Sequence, residues 1–459
     1  SIYIFTKFIF KGSWGKPTFI YISFIKVLGG DSMLNIIRAA VSLFVSFEIL
    51  ITGIIGGVKF QKIDMPEVEV GQYSQYVDPF IGTGGVPWTS AMLSPAATVP
   101  FGSVRLGPDT CFVGGAYIVK TNTSGYYYEH GHIRGFSHSR LSGTGAEDYN
   151  QFRVVPHAGD NKPAVMPYSH KNETASVGYY AVYLPTVGCL AEMTADIHTG
   201  VHRYTFYGND DAKLFIDLFS GAGNYNTYDG QGEYDAESGV ISGSCVLSGA
   251  FSSRYDGLPV YFVAVADREI KDCVIADGGI DLNFGALNGE SVELKVGISF
   301  VSTENAMLNL KTETDGLDFD GVYKKAVQAW EDNLSVIKID SDDDDIKTTF
   351  YTAFYHSMIM PTNFTDVNGE YLGFDKKVHV AEGFTYRSDM SLWDTARTTH
   401  PLYTLIAQDI QTDCLNSLVQ MATQGVGVLP RWPQGAGYAG SMMGDIANIV
   451  VTESYLKGI

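Results

Sequence analysis

The sequence has no surplus of positive charge. Its 459 residues include 31 Lys and Arg but 51 Asp and Glu, so the net charge is −20 at pH 7. Nucleic acids and anionic membranes bind to clustered cations, so this balance argues against both as partners. An acidic surface accepts a neutral ligand, a cationic ligand or a divalent cation, although such a surface most often serves solubility.

Cysteine is scarce and the familiar catalytic motifs are missing. The 5 Cys residues form no C-x-x-C pair, which excludes a zinc knuckle and a thioredoxin-like centre. The sequence also lacks G-x-S-x-G, H-E-x-x-H and the Walker loop, so serine hydrolases, zinc proteases and nucleotide enzymes have no support from motifs. An odd number of Cys leaves at least one thiol unpaired, and the sequence does not fix any pairing.

Long apolar runs are equally rare, and the main one lies near the N-terminus. It begins at Met33 as MLNIIRAAVSLFVSFEILITGIIGG, in which Arg38 precedes the apolar stretch and Glu48 interrupts it. This order is typical of a secretory signal or a signal anchor. We therefore expect a secreted, periplasmic or cell-surface protein that meets a membrane only through this segment. Residues 1–32 resemble translated upstream sequence, so residues 1–60 are set apart from the fold.

Glycine and tyrosine, in contrast, are abundant, with 50 and 28 residues. From 72 to 312, short runs of alternating apolar and polar residues are divided by Gly, Asn and Asp, a pattern that predicts antiparallel strands joined by turns. The clearest runs are VHRYTFYG, KLFIDLFSG, GVISGSCVLSG, LPVYFVAVAD and SVELKVGISFVS. We predict one large antiparallel β-sandwich over residues 72–312.

The periodicity changes after residue 312. Within residues 313–341, apolar residues from Val322 to Leu334 recur at helical spacing, so we predict a linker helix over 318–338. Residues 342–459 then alternate helical segments, such as IKTTFYTAFYHSMIM and DIQTDCLNSLVQMATQ, with long glycine-rich loops. Because loops of that length usually carry function, we predict the first part of an incomplete helical barrel whose loops build one face. A small helical domain is the alternative.

Two glycine-rich loops lie within the predicted sandwich. The first, GTGGVPWTS, contains Gly84, Gly85 and Trp88, but no helical pattern follows it, so it is not a phosphate loop. From the pattern alone, turns at a strand edge explain it. The second, GYYYEHGHIRGFSHSRLSGTG, contains His138 and Arg140, and the spacing of its His residues matches no strict set of metal ligands. We expect a polar surface there that receives a sugar or pairs with another domain.

Five motifs in order resemble glycoside hydrolase family 92, from about residue 73 to residue 459. They are YVDPFIGTGG, ATVPFGSVRLGPDT, GYYYEHGHIRGFSHSRLSGTG, SLWDTARTTHPL and GSMMGDIANIVVTESYLKGI. The resemblance implies a calcium-dependent exo-α-mannosidase that inverts the anomeric centre and acts on α-linked mannose of oligosaccharides such as N-glycans. It also implies a β-sandwich on an (α/α)₆ barrel, with the active site between them.

The resemblance assigns residues to the sugar-binding half of the site. SLWDTART matches the family's tryptophan–aspartate motif, so Asp394 is expected to accept sugar hydroxyls, Trp393 to shape the pocket and Arg397 to orient the aspartate. From spacing alone, Asp394 would instead pair with Arg397 along a helix. Ala396 and the loop around Trp88 depart from the usual family sequence. The predicted substrate-binding residues are Trp393, Asp394, Arg397, Gly84, Gly85, Trp88, His138, Arg140 and Asp445.

The segment of the last predicted helix contains two acidic residues of interest, Asp445 and Glu453. Asp445 precedes the helix as a natural N-cap. Glu453 falls on an apolar stripe with Ile449 and Val450, and an acid on such a face requires a partner, so we expect a buried ion pair.

No residue of the sequence is assigned as the catalytic acid or base. Inversion needs two carboxyl groups about 6.5–9.5 Å apart, and no stretch here matches the family motifs that carry them. We expect both, with most calcium ligands, beyond Ile459, so this chain is expected to be a fragment that is inactive alone. The alternatives are a non-catalytic carbohydrate-binding or surface module, and a glycosidase of another family on the same two-domain plan. Metal ligands and oligomeric state stay open.

Overall fold

The structure is a computed structural model that describes residues 5–11, 17–23, 62–85, 92–112, 122–425 and 427–459. The chain divides into two compact units, Ser1–Leu43 and Phe44–Ile459. In the first unit, β1 (Phe5–Lys11) and β2 (Pro17–Ser23) pair as an antiparallel hairpin. Trp88 and the predicted signal segment lie outside the described residues. In the part of the chain that is described, no helix is long and apolar enough to cross a membrane.

The second unit begins with two large antiparallel sheets. Their strands are β3 (Ala97–Thr98), β4 (Arg105–Cys111), β5 (His132–Ser137), β6 (Arg153–Ala158), β7 (Met166–Pro167), β8 (Glu173–Ser176), β9 (Tyr179–Leu184), β10 (Cys189–Ala195), β11 (Thr199–Phe206), β12 (Asp211–Asp217), β13 (Tyr228–Asp235), β14 (Val240–Leu247), β15 (Leu258–Ala266), β16 (Asp272–Ala276), β17 (Gly279–Ala286) and β18 (Ser291–Ser299). Sheet I has the order β13-β14-β15-β18-β11-β10-β9-β8. Sheet II has the order β16-β17-β12-β6-β5-β4-β3, and β7 pairs with β5.

The two sheets enclose a common apolar core, as the alternating sequence predicts. Buried side chains of sheet I such as Phe262 and Leu294 join those of sheet II such as Leu214 and Leu282 in one cluster. The ring of Phe152 lies 4.4 Å from that of Phe262 across this core. The prediction of a large antiparallel β domain is therefore confirmed, and all five quoted runs contain strands.

Two helices cover the other face of sheet I. Helix α1 (Thr303–Thr314) packs so closely that a Cβ on Gly297 would lie 2.4 Å from the carbonyl oxygen of Ala306. Helix α2 (Phe319–Leu334) buries Phe319 and Val322 against β9 and β11, and it coincides with the predicted linker helix. Helix α1 contradicts the expectation of strands up to residue 312. Its buried face is largely polar, so its sequence shows little apolar periodicity.

The remaining chain is mainly helical, as predicted. The helices are α3 (Asp344–Ser357), α4 (Leu392–Thr395), α5 (Thr399–Ile406), α6 (Gln408–Gln424) and α7 (Ile446–Leu456). Between them lie three two-stranded hairpins, which are β19 (Thr362–Asn363) with β22 (Arg387–Ser388), β20 (Glu370–Leu372) with β21 (Val378–Val380), and β23 (Pro433–Gln434) with β24 (Gly437–Tyr438). Asp343 caps α3 by accepting a hydrogen bond from the Asp345 amide at 2.9 Å, as the acidic run before this helix indicates.

The helical part and the sandwich share buried aromatic contacts. Trp330 is fully buried, donates to the carbonyl oxygen of Thr98 at 2.7 Å and lies 4.4 Å from the ring of Tyr355. Phe300, just after the last strand of sheet I, stacks on Phe364 at 4.3 Å. The helical part is therefore fixed to one end of the sandwich rather than tethered to it.

Candidate functional site

The tryptophan–aspartate motif folds as a single helical turn. Helix α4 begins after Ser391, whose hydroxyl donates to the Asp394 carboxylate, and the Asp394 amide donates back to the Ser391 carbonyl at 2.9 Å. Leu392 is buried and anchors the turn, which leaves Asp394 exposed and Trp393 half-buried. Pro401 is tolerated because it lies in the first turn of α5, where amide groups have no partner within the helix.

Arg397 contacts the tryptophan rather than the aspartate. Its guanidinium donates to the carbonyl oxygen of Trp393 and lies 5.1 Å from the centre of the indole ring. Among the ion pairs of the described residues, none joins Arg397 to Asp394. The expectation that Arg397 orients Asp394 is therefore wrong for this structure, because Ser391 does so. A role for Trp393, Asp394 and Arg397 in sugar binding stays a prediction.

Asp389, four residues before Trp393, is a buried acid that the sequence analysis missed. Its Oδ1 accepts hydrogen bonds from the Tyr149 hydroxyl at 2.9 Å and the Gly435 amide at 3.1 Å. Its Oδ2 accepts one from the Thr362 hydroxyl at 2.5 Å. The signal available in the sequence was an acidic residue just before the motif SLWDTART, which already contains Asp394. The spacing of residues gave no indication that Asp389 would accept hydrogen bonds from segments far away in the sequence.

The glycine-rich loop before α7 lies directly on the sandwich. A Cβ on Gly437 would lie 2.2 Å from the ring of Tyr255, so only glycine allows this approach. The Tyr255 hydroxyl donates to the Gln434 side chain at 2.5 Å, and the Lys376 ammonium lies 4.3 Å from the Tyr255 ring centre. The β23–β24 hairpin is thereby held beside the segment that carries Asp389.

Asp445 occupies the N-cap position of α7, whose helix packs against α4. Its carboxylate accepts from the Asn448 side chain at 2.5 Å instead of from a backbone amide, and it stays exposed. Glu453 pairs with Lys457 at 2.6 Å, with both side chains about one-third exposed. The predicted buried ion pair is therefore a surface pair, because Ile449 and Leu456 on the same face of α7 are also exposed.

Gly84 and Gly85 form a tight turn clamped by the residues after Tyr126. The Glu129 carboxylate accepts from the Gly85 amide at 2.8 Å, and the Tyr127 hydroxyl donates to the Gly85 carbonyl at 2.8 Å. Gly85 has φ +102°, a conformation that favours glycine. The turn explanation therefore fits this loop, and contact of either glycine with a sugar stays a prediction.

His138 and Arg140 are buried in the sandwich, which corrects the expected polar surface. The Arg140 guanidinium donates to carbonyl oxygens of neighbouring segments, including Arg105 and Pro108 at 3.0 Å each. The His138 ring joins that of His202 at 3.0 Å. As placed, these two side chains are enclosed by protein atoms and serve the fold.

The described residues do not assemble a metal cage. Among them, no three His, Cys, Asp or Glu side chains gather closely enough to hold an ion. Burial lowers the pKa of His130 to about 3 and that of His132 to about 4, so both are neutral. Neither a calcium ligand nor a step through calcium is assigned within the described part of the chain.

Models of two consecutive domains match this chain. The N-terminal domain of glycosyl hydrolase family 92 matches residues 76–312, and the catalytic domain of the same family matches residues 305–459. The chain belongs to glycoside hydrolase family 92. Both matches together cover well over half of the sequence, and their meeting point agrees with the passage from sheets to helices.

Solved and curated relatives agree with this membership. The family GH92 α-mannosidase BT3965 of Bacteroides thetaiotaomicron is 30% identical, with a TM-score of 0.77 over 84% of this chain and 55% of its own, and it has also been solved with mannoimidazole. The inverting GH92 mannosidase BT2199 of the same bacterium, 22% identical with a TM-score of 0.73 over 85% of this chain and 54% of its own, shows the same fold. An uncharacterized secreted glycosidase of Arthroderma benhamiae is 26% identical over 65% of this chain and 43% of its own length. The chain thus spans about half the length of the relatives it matches.

Proposed function

We propose that the protein carrying this chain is a calcium-dependent exo-α-mannosidase that inverts the anomeric centre. The observation that supports it most directly is the exposed Asp394 beside Trp393, on a short helix fixed next to the junction of sandwich and helices. The family membership and the α-mannosidase neighbour support the same activity. Membership also removes the alternative of a glycosidase from another family.

The chain's own contribution is to bind and orient the sugar. A carboxylate accepts charge-assisted hydrogen bonds from hydroxyl groups, so Asp394 is suited to binding a mannose hydroxyl. The indole of Trp393 offers an apolar face with a fixed geometry, because Arg397 holds its backbone and lies over its ring. No described residue is assigned as the acid or base, and calcium, when bound, would coordinate sugar oxygens through its preference for oxygen ligands.

The substrate class follows from the family rather than from the described geometry. We propose terminal α-linked mannose of oligosaccharides such as N-glycans as the substrate. We also propose that the helices α3–α7 belong to an (α/α)₆ barrel, and that the protein is secreted or displayed at a cell surface, as the curated relative's description supports.

The test is mannose release by the full-length protein. Mannobioses with 1,2, 1,3, 1,4 and 1,6 linkages and a high-mannose N-glycan serve as substrates, and proton NMR identifies the anomer formed first. We expect release of β-mannose, loss of activity after chelation, and recovery with Ca²⁺ but not Mg²⁺. Unchanged release in excess chelator would contradict calcium dependence, and binding without release would favour a non-catalytic carbohydrate-binding module.

A further inference from the structure

Asp389 joins three separate segments through one buried carboxylate. Asp389 is only 3% exposed, and its hydrogen-bond partners all lie far from it in the sequence. Tyr149 comes from the sandwich, Thr362 from β19 and Gly435 from the turn between β23 and β24. These three bonds hold the junction of sandwich and helices at the point where the chain enters the tryptophan–aspartate motif.

The backbone at this junction is strained on both sides of one hydrogen bond. Asp389 has φ +59° and Tyr149 has φ +66°, a left-handed conformation that is rare for any residue other than glycine. Such a conformation is strained and persists only where the surroundings enforce it. The bond between Tyr149 and Asp389 links the two strained residues, so their conformations are mutually dependent.

A buried positive charge fixes the direction of the bond from Thr362. The Arg105 guanidinium donates to the Thr362 hydroxyl at 2.8 Å and to the Ile359 carbonyl at 2.9 Å. Because the hydroxyl has one hydrogen and accepts from Arg105, that hydrogen is left for Asp389. Arg105 and Asp389 are therefore opposite charges joined through one hydroxyl, and an amide in place of the carboxylate would keep the shape but remove the charge.

A short run of hydrogen-bonded residues connects Asp389 to Asp394. The next residue, Met390, donates its amide to the Pro433 carbonyl at 3.1 Å. Ser391 follows and binds both the carboxylate and the amide of Asp394. We propose that Asp389 is a positioning residue that sets the orientation of the sugar-binding pair Trp393 and Asp394. This proposal rests on the proposed function, because it requires that Asp394 contacts the sugar.

A matched control is available at the same junction. Asp366 is also buried, at 6% exposed, and accepts hydrogen bonds from Ser299, Asn305 and Asn309 at 2.6–2.8 Å. It joins the sandwich, α1 and the loop after β19, but none of these contacts involves residues 388–394. Asp366→Asn therefore removes an equivalent buried charge without touching the path to Asp394.

The test is a double-mutant cycle on binding of mannoimidazole to the full-length protein. Calorimetric titration well below the melting temperature gives Kd for wild type, Asp389→Asn, Asp394→Ala, the double variant and Asp366→Asn. We expect Asp389→Asn to weaken binding about 10-fold in wild type but less than about 2-fold in the Asp394→Ala background, since coupled residues are not additive. Asp366→Asn should lower the melting temperature and leave Kd unchanged.

If Asp389→Asn weakens mannoimidazole binding equally in the wild-type and Asp394→Ala backgrounds, Asp389 acts on a different contact and the proposal is overturned. If Asp389→Asn weakens binding in neither background, Asp389 acts only on stability, which likewise overturns the proposal. A loss of affinity in Asp366→Asn as large as in Asp389→Asn would do the same. If Asp394→Ala binds normally, Asp394 does not contact the sugar and the proposal is wrong. If wild type neither binds mannoimidazole nor releases mannose, the proposed function itself is wrong.

Discussion

At the scale of single residues, the exposed carboxylate of Asp394 has a measurable role under the proposed function. Asp394→Ala removes one charge-assisted hydrogen bond to a sugar hydroxyl, so binding should weaken by roughly 1.5–3 kcal/mol. The melting temperature should change little, because the only described partner lost is the hydroxyl of the neighbouring Ser391. A sharp drop in melting temperature with unchanged sugar affinity would show that Asp394 serves the helix instead.

A buried histidine pair predicts how stability depends on pH. His138 donates from Nδ1 to the Phe152 carbonyl at 3.0 Å, which leaves its Nε2 to accept from Nε2 of His202 at 3.0 Å. Nδ1 of His202 then accepts from the Tyr204 hydroxyl at 2.9 Å, so both rings are neutral. Burial is the main cause that lowers the pKa of His138 to about 4, and burial followed by the neighbouring His138 lowers that of His202 well below its usual value.

The sign of the pH effect follows from these lowered values. The unfolded chain takes up protons near pH 6.5 while the folded chain does not, so stability present above pH 6.5 is lost as the pH falls towards 4, by about 1.4 kcal/mol per pH unit for each histidine. His202→Gln keeps an amide donor towards His138 but does not titrate. Urea unfolding between pH 7 and pH 4.5 should therefore show a smaller decrease for His202→Gln than for wild type, and an equal decrease would contradict the assignment.

At the scale of elements, the sequence predicted what depends on local periodicity and missed what depends on distant partners. The strands with alternating residues and the amphipathic helix α2 were predictable because one face of each is apolar. Helix α1 was not, because it buries Asn305, Asn309 and Glu313, whose partners become visible only after folding. Asp389 was missed because its partners are also distant in the sequence. His138 and Arg140 were predicted to form a polar surface because their buried partners could not be identified from the sequence.

The β23–β24 hairpin gives a prediction about close approach. Gly437→Ala would place a Cβ against the ring of Tyr255, so the hairpin must shift and the Tyr255–Gln434 hydrogen bond must weaken. Overpacking of this kind typically costs about 1–3 kcal/mol, which thermal unfolding would detect as a lowered melting temperature. Gly208 is a suitable control, because a Cβ there meets nothing within 4 Å and its φ is not positive. A melting temperature of Gly437→Ala equal to that of Gly208→Ala would contradict the contact.

At the scale of the whole molecule, the sandwich and the helical part share one continuous core. The buried cluster that fills the sandwich extends through Phe300 to Phe364, Tyr386, Leu418 and Trp432. A second cluster combines Phe101 of the sandwich with Trp330, Tyr355 and Tyr403. The sandwich therefore has no core that is wholly its own.

This shared core predicts that residues 62–341 produced alone would be much less stable than residues 62–459. Three aromatic side chains would lose their aromatic partners, since Phe300 stacks on Phe364 at 4.3 Å, Trp330 lies tilted 4.4 Å from Tyr355 and Phe101 meets Tyr403 edge-on at 5.8 Å. Full burial of one such side chain contributes about 1.5–3 kcal/mol to the free energy of unfolding. Partial exposure of all three should therefore lower the free energy of unfolding by several kcal/mol, and the total for a protein is typically only about 5–15 kcal/mol. Scanning calorimetry should show one cooperative transition for residues 62–459 and a transition at least about 10 °C lower, or aggregation, for residues 62–341. Two separate transitions in the longer chain, with the first segment melting at the same temperature in both, would show that the sandwich folds independently of the helices.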